Sequence, residues 1–265
     1  MSRAARRLGA LLLLPWPLAF GGTAWARQEV APDRPDITDS AQTIDPGGFQ
    51  LESGVEYEHS RRGGSAAERR FWLQTTLRAG LIEDLELLVD AEPVVWLRNE
   101  REDLNRGDLT LGLKYRFFEP GEGEPWPSLA VRPLVKLPTA DAPIGTERPD
   151  FALLLLLSQP LPWGFNLDVN AGLAAIGQRR PEGFLLQAIA SASLSYALTR
   201  RFSPFVELFF QTKDERDGRE LLGMTVGATY LLSESLAVDA AARTTLTGRG
   251  PDWAAVAGFS FRWGR

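Results

Sequence analysis

The chain has 265 residues, no cysteine, a single histidine and a formal net charge of −5. That excludes disulfides, thiolate metal sites, cysteine nucleophiles and any centre needing two histidines, and an acidic balance argues against nucleic acid, whose binders carry a basic patch or stripe. A mean hydropathy of −0.14 excludes a bundle of apolar membrane helices but not a transmembrane β-barrel, whose alternating strands average out as if soluble.

Residues 1–26 read as an export signal. Arg3, Arg6 and Arg7 form the charged start, an apolar stretch runs from Leu8 to about Phe20, and Ala24-Trp25-Ala26 fits the small-x-small cleavage pattern. The alternative, a membrane anchor, fits less well: the apolar run is broken by Pro15 and Pro17 and is short of the roughly 20 residues a helical span needs. Its removal takes away three Arg and no acid, so the mature chain carries −8. Residues 27–47 are polar and Pro-containing, with Asp33, Asp36, Asp39 and Asp45 against Arg27 and Arg34. Two readings stay open for them: a loose periplasmic tail, or a plug folded up into a lumen.

From about Phe49 to Trp263 one rhythm repeats: segments of ten to twelve residues in which apolar and polar or small side chains alternate. A period of two places successive side chains on opposite faces of a strand. In the first segment Phe49, Leu51, Ser53, Val55 and Tyr57 share a face against Gln50, Glu52, Gly54, Glu56 and Glu58. The second sets Phe71, Leu73, Thr75, Leu77 and Ala79 against Trp72, Gln74, Thr76 and Arg78. The third sets Leu85, Leu87, Val89 and Ala91 against Glu86, Leu88, Asp90 and Glu92, and the fourth Leu109 to Phe117 against Asp108 to Arg116. Eight more follow at about 127–137, 150–159, 165–176, 184–197, 204–212, 221–231, 236–245 and 252–263. Residues 152–157 are too uniformly apolar to show alternation, and Pro127 and Pro133 remove ladder donors from the fifth segment. Short connectors, such as Glu83-Asp84, alternate with longer charged ones, such as Arg98 to Arg106 and Lys213 to Arg219; the connector 119–126 breaks the rule. A soluble sandwich or propeller also alternates, but its strands typically run about five or six residues. Long segments, one charge-free apolar face and aromatics near segment ends predict instead an all-β, antiparallel up-and-down transmembrane barrel over residues 48–265. Twelve strands are expected, with ten or fourteen as alternatives.

Two stretches resemble a known family. Asp33-Arg34-Pro35-Asp36, followed by Pro46-Gly47-Gly48-Phe49-Gln50-Leu51-Glu52, is similar to the entry to the first strand in the MetA-pathway of phenol degradation family of outer-membrane proteins. Val135-Lys136-Leu137-Pro138-Thr139 resembles that family's Lys-Leu-Pro-Thr-Gly motif, with Ala140 in place of the glycine. The resemblance implies a transporter-like barrel in the bacterial outer membrane passing small, often hydrophobic or aromatic, compounds, with no catalytic residues. The final strand also resembles the signal read by the barrel assembly machinery, although Trp263 is followed by Gly264 and Arg265.

If the apolar faces meet lipid, the polar faces line the interior. The lining candidates are Glu52, Glu56, Arg70, Arg78, Glu86, Asp90, Lys114, Arg116, Arg132, Lys136, Asp239 and Arg243. Acidic and basic strands alternate over the first four, so cross-strand pairing is expected. Such a lattice either fills a narrow barrel or sets the selectivity of a pore. No catalytic, cofactor or metal site is expected. His59 beside Ser60 makes a poor hydrolase pair, since adjacent strand residues face opposite ways. The loop carboxylates Glu100, Glu102, Asp103, Asp214, Glu215 and Asp217 sit among arginines suited to lipopolysaccharide phosphates. The expected partners are outer-membrane lipid and lipopolysaccharide, the assembly machinery and a small solute, with a monomer as the default. The predicted function is passive passage of small solutes; the alternative is a structural or adhesive barrel with a closed lumen.

Overall fold

A computed structural model describes residues 29–61, 67–99, 101–121, 123–248 and 250–264. The predicted export signal and most of the first outer connector lie outside the described residues. The strands are β1 (Gly48–Ser60), β2 (Glu68–Ile82), β3 (Leu85–Arg98), β4 (Glu102–Asn105), β5 (Leu109–Phe118), β6 (Ser128–Leu137), β7 (Asp150–Pro160), β8 (Phe165–Gln178), β9 (Gly183–Tyr196), β10 (Phe202–Gln211), β11 (Leu221–Ser233), β12 (Leu236–Gly248) and β13 (Trp253–Gly264). Every pairing is antiparallel between neighbours, and β1 pairs with both β2 and β13, in register from Gly48↔Gly264 to His59↔Trp253. The sheet is therefore closed and has no free edge, the condition for a sheet to span lipid.

β4 pairs with the upper end of β3, whose lower half pairs with β5. The two are halves of one barrel strand, so the barrel is twelve-stranded. The connector Arg98 to Arg106 is accordingly a hairpin tip rather than a loop: Val95–Arg98 pair with Glu102–Asn105. Above the membrane both faces of a strand are wet, so the backbone ladder continues where side-chain alternation has stopped reporting it. Residues 152–157, illegible by alternation, form the middle of β7; Leu156 is fully buried while Leu153 and Leu155 are half exposed.

The interior is polar and the exterior apolar. Gln50, Glu52, Glu56, Arg78, Glu86, Lys114, Glu207, Ser260 and Arg262 are buried, while Val55, Leu77, Leu173, Val206, Leu208, Val226 and Phe259 face outward. Ring pairs mark both rims. Phe49–Trp263 and Phe165–Tyr196 lie near the chain termini, and Tyr57–Trp253 and Phe151–Phe184 at the opposite end. Such girdles sit at the two membrane–water boundaries. At the terminal end the connectors 83–84, 161–164, 197–201 and 234–235 are short, which makes it the periplasmic side.

Residues 29–47 run across the inside. Their groups bond lumen-facing residues on β1, β2, β3, β5, β6, β7, β9, β10 and β12. Ala41 packs with Ala130 and Leu156 in a small apolar cluster. Gly47, at φ 78°, turns the chain from the lumen into β1 in a conformation that glycine adopts without strain. The turn is pinned where Gly47 N–H donates to Gly80 O at 3.0 Å, and a Cβ on Gly80 would overlap the Ile44 and Asp45 carbonyls.

Candidate functional site

The lumen divides into two halves of different chemistry. Over β1–β6 it is a lattice of opposite charges. Arg78 on β2 reaches Glu52 at 3.0 Å, Glu86 at 2.9 Å and Asp33 of the lumenal segment at 2.9 Å. Lys114 on β5 adds contacts to Asp33 at 2.7 Å and Glu86 at 3.4 Å. Burial alone would raise the Asp33 carboxyl; Arg78 and Lys114 outweigh it and hold the group well below the usual carboxylate range. Arg132 on β6 pairs with Asp39 of the segment and, at 3.1 Å, with Asp90 on β3. It spans the intervening β5 over Gly112, which has no side chain to block the path. Arg116 closes the periplasmic side through Asp84, Glu119 and Gln42.

Over β7–β10 the lining is hydroxyl and carboxylate. Glu207 Oε1 accepts from Ile37 N–H at 2.8 Å and from Thr38 N–H and Oγ1 at 2.7 Å each. Ser193 Oγ donates to Asp36 at 2.6 Å, and Ser158 Oγ accepts from Ala41 N–H at 2.8 Å while donating to Asp168. Burial, reinforced by the Glu207 and Asp168 carboxylates, pushes the Asp36 carboxyl up to about 8 against the pull of Ser193.

Above the segment lies a cavity of about 500 Å3, lined by Arg34, Glu52, Arg70, Glu92, Asp108, Arg132, Lys136 and Arg243 among others. Arg70 pairs with Glu92 at 3.1 Å and lies over the Trp72 ring; Arg243 pairs with Glu56 at 2.6 Å. Lys136 bridges Asp150 at 2.5 Å and Asp108 at 3.5 Å, and Asp239 holds Arg34 at 3.3 Å. A second cavity of about 650 Å3 opens at the outer mouth between Lys136, Arg179, Gln187 and Arg216.

All twelve lining candidates thus carry ion pairs inside the barrel, Arg116 at the periplasmic rim and Lys136 at the outer one. Sequence reasoning did not single out Ser158, Ser191 or Ser193, which together with Glu207 receive the lumenal segment. Their signal is weak, because a serine on a strand face looks like filler until the group opposite it is known. His59 stacks on Trp253 at the outer rim, 5.8 Å between centroids. Among the described residues, no group of three or more His, Asp or Glu is placed to hold a metal ion.

Solved structures share this architecture at low identity. The COG4313 outer membrane channel from Pseudomonas putida F1 matches with a TM-score of 0.68 and 14% identity, over 89% of this chain and 100% of that one. The NanC porin matches with a TM-score of 0.54 and 10% identity over 80% and 98%. The transport unit of the autotransporter AIDA-I from Escherichia coli matches at 0.50 and 10% over 82% and 90%. No curated protein matches the sequence. These likenesses place the fold among the outer-membrane β-barrels. The model of the family described as "Putative MetA-pathway of phenol degradation" matches residues 32–263, and the chain belongs to that family.

Proposed function

We propose that the protein is an outer-membrane channel for the passive passage of small solutes, closed at rest by residues 29–47 acting as a plug. The carrying observation is how that segment is held. It crosses the lumen mainly on charge and hydrogen-bond contacts to strands all around the wall; its buried apolar side chains are Val30, Ala41 and Ile44, of which Ala41 packs with Ala130 and Leu156. Polar contacts exchange with water at small net cost, so a segment held mainly by them can leave while exposing little apolar surface beyond Val30, Ala41 and Ile44. A purely structural barrel would be filled more simply by its own side chains. The COG4313 outer membrane channel from Pseudomonas putida F1, a barrel of this fold, supports the same reading.

The membership implies small, hydrophobic or aromatic solutes, yet the cavity above the plug is lined by charges. One feature of the wall offers apolar solutes a route that avoids them. Between β5 and β6 the bridges run from Leu109↔Leu137 to Gly112↔Leu134 and resume at Tyr115↔Val131. The missing positions are Leu113 and Lys114 opposite Pro133 and Arg132. Pro133 has no N–H to give, while its other neighbour β7 is paired without a break. We place the route for apolar solutes at this seam, where two successive bridges are missing.

Planar-bilayer conductance of residues 27–265, beside the same protein lacking residues 28–44, tests the reading. Rare, small steps in the first and large, steady ones in the second are expected. Two equally silent, well-folded barrels would show that the lumen conducts nothing and that the barrel is structural.

A further inference from the structure

Four lumen-facing residues form one row across four adjacent strands: Asp239 on β12, Gly258 on β13, Gly54 on β1 and Gln74 on β2. Asp239↔Gly258, Gly258↔Gly54 and Gly54↔Gln74 are each direct cross-strand partners. The row is a slot with a floor of two glycines, a carboxylate at one end and an amide at the other. The Arg34 guanidinium lies in it. Its Nε and Nη2 donate to the two Asp239 oxygens at 3.4 and 3.3 Å, and its Nη1 donates to Gln74 Oε1 at 3.1 Å. A Cβ on Gly54 would overlap Nη2, and one on Gly258 would lie 2.6 Å from it. Glycine weakens a strand interior, and here it falls where a group from another segment presses against the backbone. The other inward positions of β1 carry Gln50, Glu52, Glu56 and Glu58, and those of β13 carry Ala254, Val256, Ser260 and Arg262. The two glycines of the row therefore make the opening, and the flat fork of a guanidinium fits it as a lysine ammonium would not.

We infer that this slot is a guanidinium-binding latch and that Arg34 is the positioning residue deciding whether the lumenal segment is seated. The inference rests on the gated-channel reading above. It assigns to the slot a task that Arg78, Lys114 and Arg132 do not share. Arg78, Lys114 and Arg132 are fixed in the wall and pair with wall carboxylates as well as with the segment, so they stay compensated when it leaves. Asp239, by contrast, has its charge met by Arg34, which arrives and departs with the segment. Seating the segment and neutralising Asp239 are one event.

The test compares open-to-closed ratios in bilayers for the intact mature protein, Arg34→Ala, Arg34→Lys, Asp239→Asn and the deletion of residues 28–44, each checked for folding by heat-modifiable migration. Loss of a two-pronged charged pair corresponds to roughly a 10- to 100-fold rise in the open ratio for Arg34→Ala and Asp239→Asn. Arg34→Lys should behave like Arg34→Ala, because the charge remains but the fork is gone. Closed Arg34→Ala and Asp239→Asn channels beside an open deletion would overturn the latch and leave the gated channel standing. Full closure by lysine would overturn the slot in favour of charge alone. A silent deletion would sink the gated channel and the latch together.

Discussion

Arg78 shows what a charge inside this barrel is for. It is almost fully buried and touches three carboxylates, two from the wall and Asp33 from the lumenal segment. Taking a guanidinium out of water is costly, and the cost is met only because acids on both flanking strands and on the segment converge on it. Arg78→Ala would leave Glu52, Glu86 and Asp33 facing one another with Lys114 as the cation near them. The expected loss is about 3–5 kcal/mol, the range for breaking a buried pair from one side. It would appear as a lower unfolding temperature in heat-modifiable migration, whereas an unchanged temperature would mean that water already solvates the cluster. The wall side of this arrangement was legible in the sequence, because acidic and basic strands alternate and a period of two fixes which charges point inward. The segment's side was not. Nothing local to Asp33 or Arg34 says which strand it will meet, since those partners stand 81 and 205 residues away. The glycines opposite Arg34 are similarly mute: Gly54 and Gly258 become a signal only once the register aligns them.

At the scale of strands the sequence was most legible where one face meets lipid, and least where both faces share an environment. Alternation placed β13 to within one residue and β1 to within two, stopped three residues short at each end of β2, lost β4 among charges above the membrane, and could not read β7 through its run of leucines. The connector 119–127 remains long on the otherwise short-turned side, and 179–182 is short on the outer side; the structure offers no physical reason for either. Pro133 was visible as a ladder breaker, and the register shows which ladder it breaks. Its missing N–H faces β5, leaving Leu113 and Lys114 unbridged while β6–β7 pairing is complete. Pro133→Ala restores the donor and should close the seam, raising stability by about 0.5–1.5 kcal/mol, the net worth of one such bond. If the seam is the route for apolar solutes, the same variant should slow uptake of an aromatic compound into liposomes while leaving ion conductance unchanged. A stabilised variant with undiminished aromatic uptake would send that traffic through the lumen instead.

Over the whole molecule, the unequal charge of the two lumen halves would make a gate formed by residues 29–47 depend on pH. On the β1–β6 half, Asp33 is held ionised by Arg78 and Lys114; it favours seating above the ordinary carboxylate range and loses that effect only in strong acid. On the β7–β10 half, Asp36 enters a pocket with Glu207 and Asp168 and is pushed up to about 8, so the seated segment holds a proton there that a released one gives up near 3.8. Seating through Asp36 is therefore strongest below about pH 4, weakens steadily as the pH rises from there to about 8, and changes no further above. Asp33 stays ionised throughout that window, so the two effects do not cancel within it. The open fraction in a bilayer should rise between pH 5 and pH 8. Asp36→Asn keeps an acceptor for Ser193 but cannot ionise, and should be closed more fully at pH 8 and flatter across the range. An Asp36→Asn channel with the same pH profile as the unaltered protein would show that the segment's proton is held elsewhere. It would then fall to the wall carboxylates, and not to the plug, to set the pH at which the channel opens.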